Sequence, residues 1–142
     1  MYFDLVIFID GACSGNPGEA AVGIVILRND EKIKEISQAV GEATNNIAEY
    51  LALVYAMQEA LILKAKRIKI YTDSELVFRQ VTGRYRVKNQ GIKILFDLIQ
   101  HLKTGFMHIE IEHIPRERNK EADRLASMAL KARQAATVAP MF

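Results

Sequence analysis

The sequence has one cysteine, three prolines and no tryptophan in 142 residues. A lone Cys13 excludes an internal disulfide and the clustered thiolates of a structural zinc site, and it fits a reduced, cytoplasmic protein. Long apolar runs are also missing. Nothing approaches the roughly 18 unbroken apolar residues of a spanning helix, and the run after Met1 contains Asp4 rather than following a cationic leader. Neither a membrane span nor a signal peptide is therefore expected. Charge of one sign is scarce overall, with a net +2, but it is unevenly spread. Six basic residues (Arg79, Arg84, Arg86, Lys88, Lys93, Lys103) stand against Asp97 alone between residues 79 and 103. That stretch carries +5 and leaves −3 for everything else. Such a segment either meets phosphates or forms a solvated face.

What is present is enough apolar sequence, half of all residues, for one domain with its own core. Residues 2–9 are nearly all apolar and rich in Val, Ile and Phe, which predicts a strand buried on both faces that stops at Asp10-Gly11. Residues 21–27 and 32–40 read as two strands around the polar turn at Asn29 and Asp30. A central helix over residues 46–63 follows, apolar on every side between Tyr50 and Met57. Residues 67–71 alternate as a fourth strand. Residues 74–81 turn helical behind a Thr72/Glu75 capping box, and Ile92, Leu95, Phe96, Ile99 and Leu102 recur at helical spacing. Residues 106–112 alternate as a fifth strand, and Asn119 caps a last helix ending near Arg133. The expected class is α/β: a mixed five-stranded sheet flanked by helices, with strands 1–3 antiparallel and strands 4 and 5 parallel. Residues 1–133 form the domain and 134–142 a tail, with Val138 and Phe142 expected to dock back onto the sheet.

Four acids draw attention. Asp10 and Asp73 end the first and fourth strands, at the edge where open α/β sheets place their ligands. Glu49 lies in the first turn of the central helix and Asp123 in the first turns of the last. Each also has an ordinary role: an Asp-Gly turn for Asp10, a capping box with Asn46 for Glu49, a helix-dipole partner for Asp73, a solvated acid for Asp123. Converging, they would repel one another unless hard divalent cations sat between them. Two such ions suit in-line displacement at phosphorus.

The stretches IFIDGACSGNPG, TNNIAEYLAL, IYTDSELV and HIPRERNKEADRLA carry these acids in order, and together they resemble type 1 ribonuclease H over nearly the whole chain. The resemblance implies a ribonuclease H-like fold. It also implies a monomeric endonuclease that cuts the RNA strand of RNA/DNA hybrids, leaving 5′-phosphate and 3′-hydroxyl ends. Two Mg²⁺ ions, with Mn²⁺ as substitute, would be held by Asp10, Glu49, Asp73 and Asp123, with Asp10 shared by both; double-stranded RNA is a further candidate substrate. Glu49 would also sit near the 2′-hydroxyl that distinguishes RNA from DNA. Cys13 (through its backbone), Asn16 and Asn45 match minor-groove contacts, Thr44 a DNA-phosphate contact, and Ser74 a backbone contact. For Thr44 a helix cap, and for Asn16 and Asn45 plain turn and cap roles, fit equally. His113, ten positions before Asp123, matches a family histidine assigned to proton transfer or product release; a structural role stays open. Asn119 matches a position near Asp123 and is also an N-cap candidate. His101 and His108 read as surface residues.

The chain departs from the family pattern in three ways. It runs straight through VTGRYRVKNQG where well-known bacterial members carry an extra helix and a tryptophan-bearing basic loop, so Arg84, Arg86, Lys88 and Lys93 are the candidates for a smaller electrostatic substitute. Ile47 stands where many relatives have Arg, and Glu75 where Gln is common. A hybrid-binding domain ahead of Asp10 is not expected. Two other readings compete: a nucleic-acid-binding module without catalysis, and a junction resolvase or transposase built on a related fold.

Overall fold

A computed structural model describes residues 2–135. The expectation that Val138 and Phe142 dock on the sheet lies outside the described residues. Five strands, β1 (Leu5–Cys13), β2 (Gly18–Arg28), β3 (Glu31–Ala43), β4 (Arg67–Thr72) and β5 (His108–His113), form one sheet in the order β3-β2-β1-β4-β5. The β1/β2 and β2/β3 pairs are antiparallel; β1/β4 and β4/β5 are parallel. Four α-helices accompany them, α1 (Asn45–Ile62), α2 (Glu75–Val81), α3 (Gln90–Lys103) and α4 (Lys120–Ala135), with a 3₁₀ turn at Arg116–Arg118. The expected class and pairing pattern hold.

The core lies between α1 and the sheet. Ile7 and Ile9 of β1, Ile24 and Ile26 of β2, and Ile68 and Ile70 of β4 meet Leu53 and Met57 of α1, all essentially without solvent contact. Each such side chain contributes about 1.5–3 kcal/mol of burial. The β2/β3 hairpin closes at Asn29 and Asp30, whose φ of 51° and 66° make the primed turn that matches strand twist.

The strand ends differ from the sequence reading where pairing overrides local pattern. β1 does not stop at Asp10-Gly11. Its parallel pairing with β4 ends at Ile9↔Thr72, while its antiparallel pairing with β2 continues to Cys13↔Ala20. The predicted capping boxes also give way. Ser74 caps α2 by accepting from Val77 N, and Thr72 Oγ1 instead accepts from Ser74 N. Thr44, not Asn46, caps α1 by accepting from Ile47 N.

Two glycines let the helices close on the sheet. A Cβ on Gly11 would lie 2.4 Å from the carbonyl carbon of Ala48, and one on Gly23 would lie 2.0 Å from the Ala122 oxygen. Only glycine permits backbone approaches this close. They bring the first turn of α1, with Glu49, onto β1 beside Asp10, and the first turns of α4, with Asp123, onto Gly23 of β2, the cross-strand partner of Asp10.

Candidate active site

Because Ile9 pairs with Thr72 in parallel register, the next residues, Asp10 and Asp73, leave adjacent strands side by side. The Gly11 approach delivers Glu49, whose Oε1 accepts the Gly11 N–H at 2.5 Å. The capping box expected for Glu49 is thus replaced by a bond to the neighbouring strand. One carboxylate oxygen from each of Asp10, Glu49 and Asp73 lies within 4.8 Å of the others. Asp123, half-buried on α4, faces the same cleft. All four acids line one open cleft of about 430 Å³, together with Cys13, Asn45, Ser74 and Arg116 among others.

At such spacing each pair of ionised carboxylates repels by roughly 3–4 kcal/mol at an effective dielectric near 20. Asp10 is only 7% exposed. Its burial, then the charges of Glu49 and Asp73, hold its carboxyl far above the usual range. Burial likewise pushes Glu49 up to about 7, against the Asp10 and Gly11 hydrogen bonds that lower it. Asp73 is also raised by burial, with Asn119 and the Arg116 guanidinium pulling the other way. A cluster of oxygen donors that cannot all ionise unaided is the donor set a hard divalent cation fits.

Asn119 is the residue whose expected role changes most. It is 1% exposed, and its side chain caps no helix. Nδ2 donates to Ile9 O at 2.8 Å and to Asp73 Oδ2 at 3.2 Å, tying β1 to the residue that follows β4 where their pairing ends. As placed, it supports the site from below and does not line the cleft. Its Oδ1 is buried without a partner among the described residues. His113 is exposed at the end of β5, with Nε2 3.3 Å from Asp73 O and its ring tilted against Phe78 at 6.1 Å.

Of the remaining positions, Cys13, Asn45 and Ser74 line the cleft, and Asn16 and Thr44 adjoin Asn45. Asn16 Oδ1 accepts from Asn45 N at 3.1 Å, so these two asparagines are brought together. Thr44 serves as the cap of α1, and Ser74 as the cap of α2 at the cleft wall. The Cys13 thiol points to the carbonyls of Gly15, Gly18 and Ala43, at 2.9 Å in the last case, and so is spent within the loop. Arg116 was not singled out from the sequence. It brings positive charge to the cleft beside Asp73, and its only signal was its place within HIPRERNKEADRLA. His101 and His108 lie away from the cleft; His108 pairs with Glu110 at 3.1 Å.

Comparison with known proteins agrees with this geometry. Residues 8–129 match a family described as reverse transcriptase-like. A bifunctional protein of Mycobacterium tuberculosis is 41% identical over 130 residues, covering 90% of this chain and 36% of that protein. The chain spans 62% of the length of ribonuclease HI from Halobacterium salinarum, to which it is 40% identical over 124 residues. The crystal structure of RNase H1 from that archaeon superposes with a TM-score of 0.88 at 38% identity, covering 90% of this chain and 98% of the other. LC11-RNase H1, isolated from compost and solved in complex with an RNA/DNA hybrid, gives 0.87 at 35% identity, covering 92% and 99%. With the four acids gathered at the junction of β1 and β4 on a sheet of this order, the chain belongs to the type 1 ribonuclease H family.

Proposed function

We propose that this chain is an endonuclease that hydrolyses the RNA strand of RNA/DNA hybrids to 5′-phosphate and 3′-hydroxyl ends, with residues 1–133 as its catalytic unit. The observation that carries the reading is the convergence of Asp10, Glu49, Asp73 and Asp123 in one open cleft. Asp10, Glu49 and Asp73 would hold one divalent ion, and Asp10 with Asp123 a second; Mg²⁺ is the natural occupant and Mn²⁺ its substitute. When bound, such ions supply charge neutralisation and Lewis acidity for in-line displacement at phosphorus.

The protein's own groups do the rest. Gly11 N–H aims Glu49 into the cleft, and Asn119 holds one oxygen of Asp73 so that the other stays available. Arg116 adds a positive charge where the phosphate would arrive. His113, exposed and resting on Asp73 O, is placed to exchange a proton with solvent beside the site. Asn16, Asn45, the backbone at Cys13 and the Thr44 and Ser74 hydroxyls would meet the duplex. The lone cysteine supports a reduced, cytoplasmic setting, and we read the working form as a monomer.

The test is cleavage of an end-labelled RNA/DNA hybrid with Mg²⁺ beside matched DNA duplex, RNA duplex and four-way junction, using wild type and Asp10→Asn. Cutting confined to the RNA of the hybrid and lost in the variant supports the reading. Cleavage of the junction reassigns the substrate, and binding without cutting in either Mg²⁺ or Mn²⁺ overturns catalysis.

A further inference from the structure

The stretch between α2 and α3, which carries Arg84, Arg86 and Lys88 of the basic segment, is not a free loop. Gly83, at φ +83°, ends the helix, and the chain folds back so that Arg84 N and Tyr85 N both donate to Arg79 O at 2.7 and 3.0 Å. Gln80 then secures it from inside. It is 7% exposed; its Oε1 accepts from the Tyr50 hydroxyl at 2.5 Å and its Nε2 donates to Arg86 O at 3.1 Å. Tyr50 is wholly buried on α1, adjacent in sequence to Glu49. A buried amide and a buried phenol, each satisfied only by the other and by one loop carbonyl, constitute a specific tether, because a fluctuating loop would leave them unpaired.

A second tether runs to the other side of the site. The Arg84 guanidinium lies 5.2 Å from the centre of the Phe78 ring, and Phe78 packs against His113, which contacts Asp73 O. Arg79, stacked at 5.3 Å on Tyr85 and bonded to Glu75, braces the outer side. Arg84, Arg86 and Lys88 are exposed and, among the described residues, have no carboxylate within 4.0 Å, unlike Lys93, which pairs with Asp97 at 2.6 Å. The strap borders a groove of about 530 Å³ lined by Gln80, Arg84, Tyr85, Arg86, Lys93 and Phe96 in part. Three unneutralised cations on a tethered strap, two of them (Arg84 and Arg86) lining an open groove, suit a regularly spaced polyanion. The strap begins about one α2 length from the cleft, roughly 10 Å for seven residues, which is within the width of a nucleic-acid duplex.

We propose that Arg84, Arg86 and Lys88 form a phosphodiester-binding strap for the duplex, and that Gln80 is the positioning residue that ties this strap to the helix carrying Glu49. The inference rests on the proposed duplex substrate. Duplex grip and placement of the acids then share one rigid framework, although no inserted helix provides it.

Two variants test this: Arg84→Ala/Arg86→Ala/Lys88→Ala, which removes the charges, and Gln80→Leu, which removes the tether and leaves every charge in place. Binding of a fluorescent RNA/DNA hybrid is followed by anisotropy from 50 to 200 mM salt, and kcat and KM are measured on the same hybrid. For the triple variant the slope of log affinity against log salt should fall by about 2–3, as expected from losing up to three phosphate contacts. KM should rise about tenfold or more while kcat changes far less. Gln80→Leu should show the same KM-weighted loss and a smaller drop in slope. Unchanged affinity and slope in the triple variant would overturn the strap, and a Gln80→Leu effect confined to kcat or to thermal stability would overturn the tether. If Gln80→Leu does not fold, Tyr50→Phe, which leaves Gln80 Oε1 without its donor, takes its place. A wild type that binds hybrid without cutting it rejects the proposed activity, yet the salt slopes still decide the strap.

Discussion

Asn119 reaches from the turn before α4 to bind two strands at once, donating to Ile9 O at the end of the β1/β4 pairing and to Asp73 Oδ2 just beyond it. Asn119→Ala would leave a buried carbonyl without its donor and free Asp73 to turn. We expect a loss of about 1–3 kcal/mol in stability and a fall in kcat larger than any change in KM. Thermal melts and steady-state kinetics on a hybrid check both; a normal kcat in the variant would show that Asp73 needs no such support.

Burial of the acids, together with their mutual repulsion, makes the metal-free site a source of instability. Asp10 and Glu49 have folded-state proton affinities above their unfolded values. Between their ordinary pKa values, near 4, and their raised folded values, the native chain holds more protons than the unfolded one, so stability falls as pH rises. In EDTA the melting temperature should drop from pH 5 towards pH 8. Asp10→Asn, which removes the most buried carboxyl and its proton uptake on folding, should flatten that slope and raise the melting temperature at pH 7.5 by about 4 °C, while abolishing cleavage. A metal-free wild type that is most stable at pH 8 would contradict this.

Mg²⁺ or Mn²⁺ should reverse the same penalty. At a hundredfold excess over its dissociation constant an ion bound only by the folded state adds about 2.7 kcal/mol, and the shift should be lost in Asp10→Asn. Calorimetric melts with and without metal at pH 7.5 read this directly. Equal shifts in wild type and variant would place the ions elsewhere.

Gly11→Ala asks whether the close approach of α1 matters. A methyl group there meets main-chain atoms of Ala48 and Glu49 at 2.4–2.5 Å, with no flexible side chain to yield. The cost should be about 3 kcal/mol or more, and any folded variant should bind metal more weakly because Glu49 is displaced. Isothermal titration with Mn²⁺ measures the latter.

Much of the arrangement was legible because it rests on periodic apolar patterns and on register. The run from Ile7 to Ile9, the alternation from Arg67 to Tyr71 and the buried face of the central helix all predict what forms, and parallel strands then force Asp10 beside Asp73. What escaped depends on choices made between segments. β1 outlasts its apolar run because β2 goes on pairing with Gly11, Ala12 and Cys13. Asn46 and Thr72 look like caps, but Thr44 and Ser74 occupy those positions once the strands fix where each helix begins. Glu49 and Asn119, both plausible in local hydrogen bonds, are taken by partners 38 and 110 residues away. Arg116 and Gln80 have no periodic signature, since one lies in an irregular turn and the other owes its burial to a fold-back no local pattern announces.

β3 forms one edge of the sheet, 13 residues long and largely exposed. An outer row of unpaired amides and carbonyls of that length is a template on which a second molecule could extend the sheet. Glu31, Lys32, Lys34, Glu35 and Glu42 crowd this strand with charge of both signs, and register shifts opposite Ala20/Ala21 and Ile26/Leu27 bend it out of line. The opposite edge, β5, is short and bears Glu110 and Glu112. Lateral growth is thus discouraged at both ends, which lets the protein be concentrated without its strands zipping into fibres.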